Sequence, residues 1–207
     1  MTMEEVKSNI RKKADEIKPY RCQNLIAVLE HPTDIKNIGT AIRNINALGV
    51  EKTYIVDPLK SLPDDWEEMR NRKSLSKTSV SAIKWSFVKR FDSTELCLEH
   101  LAKYRFTSIV TSPHVKGKKN LVLHEADYTH PKLAVWFGNE SRGISDLAVE
   151  NSAFCVSISM FGMIESLNLG TTTGIVLYEI AKQRREYQQK YKRANRRPDK
   201  ALHRTSC

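Results

Sequence analysis

Three short stretches of the sequence place amides, a guanidinium, a carboxylate and a hydroxyl directly beside apolar runs. They are "HPTDIKNIGTAIR" (31–43), "FGNESRG" (137–143) and "SMFGMIESLN" (159–168). Side chains of these types can hold a polar ligand, orient a hydroxyl group and stabilise negative charge that develops on an oxygen atom. The candidate catalytic residues in these stretches are Asn37, Arg43, Glu140, Ser166 and Asn168.

Each of these residues also has a purely structural interpretation. We expect Asn37 to cap the helix that follows it, whatever other role it has, because asparagine is a favoured N-cap. Arg43 suits a solvated helix position, and Glu140 suits the acidic first turn of a short helix. Either Ser166 or Asn168 can cap the long helix that comes after them. Taken one at a time, the three stretches therefore identify no chemistry.

The elements that must position these stretches are strands that alternate with helices. Apolar runs predict buried strands at 24–30, 52–58, 82–91, 107–112, 133–138 and 154–159, and amphipathic patterns predict helices at 3–18, 38–48, 93–104, 144–151 and from Leu169 onward. Residues 60–80 are polar and predict a long loop with a helical turn. This order predicts an α/β fold, with a mostly parallel sheet and helices on both faces. In such sheets ligands bind at the carboxyl ends of the strands, where we expect the three polar stretches to lie.

Several common site motifs are missing from the sequence. It contains no G-x-G-x-x-G after the first strand and no G-x-x-x-x-G-K-[ST], so neither a standard dinucleotide fold nor a P-loop is indicated. "GMIES" is not the nucleophile turn of the α/β hydrolases. The six histidines show no ligand spacing, and we expect no metal.

The positive charge is concentrated at the C-terminus. The formal net charge is +10, and residues 182–204 contain ten lysines or arginines against two acids. A solvated tail is the alternative, but a one-sign stretch favours a polyanion and so predicts RNA binding. The predicted RNA-binding residues are Arg184, Arg185, Lys190, Lys192, Arg193, Arg196 and Arg197.

The length and composition predict one domain with two extensions. We divide the chain into an N-terminal helical extension (1–22), an α/β domain (23–181) and a basic C-terminal helix or tail (182–207). No apolar run approaches the roughly 20 residues that span a bilayer, and the charged N-terminus lacks the apolar core of a secretory signal. Four scattered cysteines suit free thiols. These features predict a cytoplasmic protein without a membrane partner.

Read together, the three stretches resemble the three motifs of the SPOUT superfamily of knotted methyltransferases. "NIGTAIRNINALG" resembles the first motif, "LAVWFGNESRG" the second and "ISMFGMIESLNLGTTTGIVLYE" the third, in the family's order. They are most similar to the branch that methylates ribose 2'-hydroxyls in RNA, and within it to the SpoU/TrmH enzymes that act on the D-loop guanosine, position 18, of tRNA. Ser159 and the pair Leu169 and Gly170 depart from the family pattern.

The resemblance implies a fold, a cofactor and an assembly. It implies a C-terminal deep trefoil knot, bound S-adenosylmethionine and a homodimer with the active site at its interface. The implied cofactor contacts are Thr111, Gly138, Ile158 and Leu167, and the implied catalytic residues are the five candidates above. Gly138 is expected to leave room for the adenosine. We expect Arg43 to clamp an RNA phosphate and stabilise the developing alkoxide, because guanidinium does not deprotonate in proteins.

Several alternatives for the substrate remain open at this point. The RNA can be 23S ribosomal RNA or the wobble ribose of tRNA, because every RNA presents the same phosphates. A protein of this fold that binds RNA without catalysis is a further alternative. A small-molecule methyltransferase would leave the basic C-terminal stretch without a purpose.

Overall fold

The structure is a computed structural model that describes residues 12, 15–117 and 119–194. Within these residues seven strands form one sheet. They are β1 (Cys22–Glu30), β2 (Val50–Val56), β3 (Phe87–Phe91), β4 (Thr107–Thr111), β5 (Asn120–Val122), β6 (Leu133–Phe137) and β7 (Cys155–Ser157). The α-helices are α1 (Ile35–Ala47), α2 (Trp66–Asn71), α3 (Lys73–Thr78), α4 (Thr94–Lys103), α5 (Asp146–Glu150) and α6 (Leu169–Ala194). Short 3-10 helices lie at Lys18–Tyr20 and Ala82–Trp85.

The sheet is parallel at every strand pair, in the order β3-β2-β1-β6-β4-β7-β5. β1 and β6 lie side by side near its middle, with Ala27 opposite Val135 and Leu29 opposite Phe137. Every residue of β6 is buried, as expected of a strand covered on both faces. The predicted α/β fold with a parallel sheet is confirmed.

Two hydrophobic cores lie on opposite faces of the sheet. On one face α1, α3 and α6 pack on strand residues such as Ala27 and Leu29. On the other face α4 and α5 pack on the alternate residues, such as Ile26 and Val28. This alternation follows from the two-residue period of a strand. The prediction of helices on both faces is therefore confirmed.

The element boundaries differ from the prediction mainly where sequence signals are short. The region 82–91 was predicted as one strand, but only Phe87–Phe91 is extended, after a 3-10 helix. β5 has only three residues and was not predicted. Residues 60–80 contain two short helices, α2 and α3, and not a single helical turn. Gly49 follows Leu48, the C-cap of α1, and its φ of +72° is a conformation that glycine adopts without strain.

The last helix is long and continues through the beginning of the basic segment. α6 spans 26 residues and lies beside α1. The predicted N-terminal helix, 3–18, falls largely outside the described residues, as do the basic residues after Ala194. No helix in the described part of the chain is long and apolar enough to cross a membrane.

Candidate active site

A chain of hydrogen bonds joins the three polar stretches at the carboxyl edge of the sheet. Asn168 Nδ2 donates to Asn37 Oδ1 at 2.9 Å, and Asn37 Nδ2 donates to Glu140 Oε1 at 2.9 Å. We call these three residues the amide network. Asn37 lies more than one hundred residues before Glu140 and Asn168 along the chain, so only the fold brings it to them. The sequence motifs predicted these three residues as one site, and the structure places them in direct contact.

Asn37 is not the cap of α1, contrary to our prediction. Asp34 occupies the N-cap, and its side chain accepts a hydrogen bond from the Lys36 amide at 2.8 Å. Asn37 is the third residue of the helix. Because Asp34 satisfies the free helix amide, both ends of the Asn37 amide group remain available for the network. Asn168, in contrast, does cap its helix, since its Oδ1 accepts from the Gly170 amide at 2.8 Å.

Glu140 is an ionised hydrogen-bond acceptor in this arrangement. Its Oε2 accepts from the Thr33 amide at 3.3 Å and from the Thr33 hydroxyl at 3.2 Å, in addition to the bond from Asn37. Burial raises the pKa of the Glu140 carboxyl, but these hydrogen bonds outweigh burial and hold the pKa below its usual value. Glu140 is therefore charged at neutral pH and accepts bonds without donating any.

The loop after β6 is held in one shape by its own backbone and by β1. Asn139 is buried, donates to the His31 carbonyl at 2.6 Å and accepts from the amides of Ser141 and Arg142. A Cβ atom at Gly138 would overlap the backbone of Gly143 and Ile144. The glycine at 138 is thus already required by the close approach of its own loop, a reason that is separate from the predicted room for a ligand.

Glu30 lies beside the candidate site and was not identified from the sequence. It is 2% exposed at the end of β1, and it accepts from the Ser145 hydroxyl at 2.6 Å, the Ser145 amide at 2.8 Å and the Thr94 hydroxyl at 2.7 Å. These bonds tie the Gly138 loop and α4 to the central strand. The available signal was a single charged residue at the end of an otherwise apolar strand.

A cavity of about 340 Å³ lies directly against the Gly138 loop. Its volume is within the range of small-molecule sites. Its walls combine backbone with the apolar residues Phe137, Val156, Leu169 and Val176. Six of the predicted site residues line it, which are Thr111, Gly138, Glu140, Ile158, Ser166 and Leu167. Apolar walls for a flat ring, next to polar loop backbone, fit an adenosine-containing molecule, and the residues therefore fit the predicted cofactor.

Arg43 lies apart from this cavity. Its side chain is exposed and is not among the residues that line the cavity. Within the described residues it has no hydrogen-bond or ion-pair partner, and it does not contact the amide network. Within one protomer the structure therefore brings together four of the five candidate catalytic residues around the cavity and its rim, and leaves Arg43 on the surface of α1.

A family model described as the SpoU rRNA methylase family matches residues 24–178. The chain belongs to the SpoU rRNA methylase family. The predicted family and enzyme class are thereby confirmed, and the protein is an RNA methyltransferase.

Individual SpoU-family proteins are similar to this chain over most of its length. The tRNA (guanosine(18)-2'-O)-methyltransferase of Thermus thermophilus is 26% identical over 174 residues, which cover 84% of this chain and 82% of the relative. The 23S rRNA (guanosine-2'-O-)-methyltransferase RlmB of Shewanella oneidensis is 31% identical over 162 residues, which cover 77% of this chain and 60% of the relative. The solved A. aeolicus TrmH/SpoU tRNA modifying enzyme has a TM-score of 0.70 and 25% identity, and the match covers 86% of this chain and 85% of that chain.

The basic residues predicted to bind RNA differ in their exposure and in their hydrogen-bond partners. Arg184 is 5% exposed, and its guanidinium donates to the carbonyls of Tyr128 and His130 at 2.9 and 2.5 Å and to the Cys22 thiol at 3.2 Å. The structure thus contradicts the prediction that Arg184 contacts RNA, because all its nitrogens face protein acceptors. Arg185 is half-buried and donates to the Leu48 carbonyl at 2.6 Å.

The rest of the basic set lies farther along α6 or beyond it. Lys190 is exposed on the helix. Lys192 and Arg193 lie in the last turn of α6, and Arg196 and Arg197 fall outside the described residues. The predicted RNA contact of this segment therefore begins no earlier than Arg185.

Proposed function

We propose that this enzyme transfers the methyl group of S-adenosylmethionine to the ribose 2'-hydroxyl of guanosine 18 in the D-loop of tRNA. The observation that carries the proposal is the position of the amide network at the rim of the cavity. The similarity to the Thermus thermophilus tRNA enzyme over 84% of the chain supports the choice of target.

The cavity residues hold the cofactor in this proposal. Thr111, Gly138, Ile158 and Leu167 line the cavity and would contact the adenosine and its ribose. When bound, S-adenosylmethionine supplies an electrophilic methyl group on a sulfonium. The protein's contribution is to place the ribose oxygen in line with that group, and positioning of this kind can supply about 7–11 kcal/mol of the barrier.

The amide network orients the loops on which this alignment depends. Asn37 and Asn168 fix the beginnings of α1 and α6 relative to each other, and Glu140 fixes the Gly138 loop to the beginning of α1. Because Glu140 already accepts three hydrogen bonds from Thr33 and Asn37, we assign it a positioning role. Ser166 lines the cavity and is exposed, and in this proposal it would contact the ribose.

Arg43 reaches the reaction in a homodimer, where one protomer supplies it to the cavity of the other. Two features support this assignment. The guanidinium is exposed and unpartnered within the described part of its own protomer. In addition, a groove beside α1 and α6 is apolar and open, lined by Ala47, Ile175 and Tyr178 with Phe161 at 96% exposure. An exposed apolar surface of this kind favours association of two copies. There Arg43 would hold an RNA phosphate and stabilise negative charge on the attacking oxygen.

The C-terminal part of the chain forms a deep trefoil knot in this proposal. The strand order supports it, because β6 enters between β1 and β4, β7 then enters between β4 and β5, and α6 returns to pack on α1. Folds in which the chain passes through a loop formed by its own earlier residues are otherwise rare. The segment from Lys190 onward would grip RNA phosphates, and the protein would act in the cytoplasm, where tRNA is available.

Methyl transfer to defined RNAs tests the proposed target. Unmodified tRNA and 23S ribosomal RNA are each incubated with the protein and methyl-labelled S-adenosylmethionine, with Arg43→Ala as the control. We expect label on tRNA, and resistance to alkaline cleavage next to guanosine 18, because a methylated 2'-oxygen cannot attack the neighbouring phosphate. Label on ribosomal RNA alone would instead support the second candidate, which the 31% identity to the Shewanella oneidensis enzyme favours.

A further inference from the structure

A second basic segment lies outside the C-terminal stretch. Residues 70–84, "RNRKSLSKTSVSAIK", contain five lysines or arginines and no acid. They form α3, the end of α2 and the following 3-10 helix. Most charged faces of soluble proteins mix both signs, which limits repulsion. A one-sign segment this long therefore needs a negative partner.

The fold gathers these cations around a concave surface. A groove of about 480 Å³, here the α2–α3 groove, is lined by Arg70, Asn71, Lys73, Ser76, Lys77, Val80, Ser81 and Lys84. No acid lines it. Lys73, Lys77 and Lys84 are exposed, and none of the three has an acidic partner within the described residues. Lys73 and Lys77 are four residues apart on one helix face, where two like charges repel each other.

The backbone at the rim of the groove is held in an unusual conformation. Val80 and Ser81 have φ values of +50° and +61°, although neither is glycine. A left-handed conformation is especially unfavourable for a β-branched residue, and Val80 is also 63% exposed. Unfavourable backbone of this kind is concentrated at binding sites. This turn lies between Lys77 and Lys84, and both of these lysines line the groove.

The groove adjoins the face of α1 that carries Arg43. Gly39, Arg43 and Asn46 share one helix face, at intervals of four and three residues. Gly39 packs against Thr78, and Asn46 donates to the Trp85 carbonyl at 3.3 Å and to the Ser86 hydroxyl at 3.2 Å. Along this face of α1, Arg43 therefore lies between the two positions that contact the groove elements. The positive surface runs from Arg43 to Lys77 and Lys84.

We propose that the α2–α3 groove binds backbone phosphates of the substrate RNA, beside the face of α1 that carries Arg43. The inference rests on the proposed function, since it assigns the groove to the same substrate. The three exposed ammonium groups of Lys73, Lys77 and Lys84 match the charge of an RNA backbone and read no base edge. The groove would thus set the affinity and the orientation of the RNA, and leave the cofactor cavity unaffected.

Neutralising the groove tests this proposal. The variant Lys73→Gln, Lys77→Gln, Lys84→Gln is compared with the intact protein for tRNA binding between low and physiological salt. We expect the slope of log Kd against log salt concentration to fall by about 2, because each lost phosphate contact reduces it by about 0.7–0.9. We also expect the KM for tRNA to rise several-fold, with kcat and the Kd for S-adenosylmethionine unchanged.

A matched control removes the same charge elsewhere. Lys103, Arg105 and Lys119 are exposed, the first two at the end of α4 on the opposite face of the sheet and the third beside the edge strand β5. The variant Lys103→Gln, Arg105→Gln, Lys119→Gln should keep the salt slope of the intact protein. Equal slopes in the two triple variants would overturn the groove assignment and leave the proposed methyl transfer intact. If the groove variant lowers the salt slope of tRNA binding as expected while the intact protein methylates no tRNA, the proposed function fails and the groove assignment stands.

Discussion

Arg184 and Arg43 have the same side chain and opposite surroundings. Arg184 is 5% exposed, and its donors reach backbone carbonyls on three sides together with a thiol. Arg43 is exposed and, within the described residues, unpartnered. A guanidinium with every donor satisfied by its own chain stabilises the fold. One with free donors is available to a phosphate or to a developing oxyanion.

The comparison teaches that a count of charges does not show which charges are available. Arg184 and Arg185 belong to the basic stretch that suggested RNA binding, yet both donate to the folded domain. Arg43 lies in α1, where Lys36 is the one other charged residue. The arginine whose donors stay free, and not the densest charge cluster, is therefore the better candidate for chemistry.

The largest effect is expected from Arg43→Ala. Removing a group that stabilises transition-state charge lowers kcat by about 100- to 1,000-fold, whereas an exposed substitution changes the melting temperature very little. Single-turnover methyl transfer and thermal unfolding measure the two quantities. Arg43→Lys is the matched variant, and near-full activity in it would show that the two-pronged geometry of arginine is not needed.

The next effect concerns Arg184→Met, which should act on stability and not on chemistry. Methionine fills much of the volume but leaves several buried carbonyl oxygens without donors, at a cost of about 3 kcal/mol in the free energy of unfolding. Denaturant unfolding measures this cost. Lys182→Met, at an exposed position two residues earlier, serves as the control and should change stability by less than about 0.5 kcal/mol. Similar stabilities for the two variants would contradict the structural role of Arg184.

A smaller effect is expected when the end of the basic segment is removed. Deletion of residues 195–207 leaves Arg184 and Arg185 in place, so the fold should be retained. We expect weaker tRNA binding and a shallower salt dependence, because phosphate contacts are lost. The KM for S-adenosylmethionine should not change. A parallel rise in the KM of both substrates would mean that the segment supports the fold and not the RNA.

The smallest effect concerns the pH dependence set by Glu140. Its pKa is lower in the folded protein than in the unfolded chain, so ionised Glu140 stabilises the fold above the unfolded value of about 4.3. That contribution is lost as the pH falls through the folded pKa. Since Glu140 is exposed, the stability difference between the protein and Glu140→Gln should stay under about 1 kcal/mol. Thermal unfolding should show that this stability difference is constant from pH 8 to 6 and shrinks below pH 4. A difference that first shrinks near pH 7 would contradict the lowered pKa.

The sequence predicted the fold, and which polar stretches meet at one edge of the sheet, better than the local roles of single residues. Long apolar strands such as β1 and β6 have clear patterns, whereas β5 has three residues and no detectable period. Asn37 was predicted as a cap because asparagine is a favoured N-cap, but Asp34 is one as well, and the structure shows that Asp34 begins the helix. Glu30 was missed and Arg184 was assigned wrongly to RNA, because burial and partners far along the chain depend on tertiary packing. The availability of Arg43 is likewise visible only in the structure.

The central claim is that catalysis combines the cavity of one protomer with Arg43 of another, and mixing two inactive variants tests it most directly. Leu167→Trp fills the cavity, Arg43→Ala removes the guanidinium, and each is first shown to be folded and inactive. After the two are unfolded and refolded together, half of the dimers carry both chains. Each such dimer has one complete site, so about a quarter of the activity of the intact protein should return. No return of activity from mixed dimers, in a protein that is active when intact, would contradict the claim.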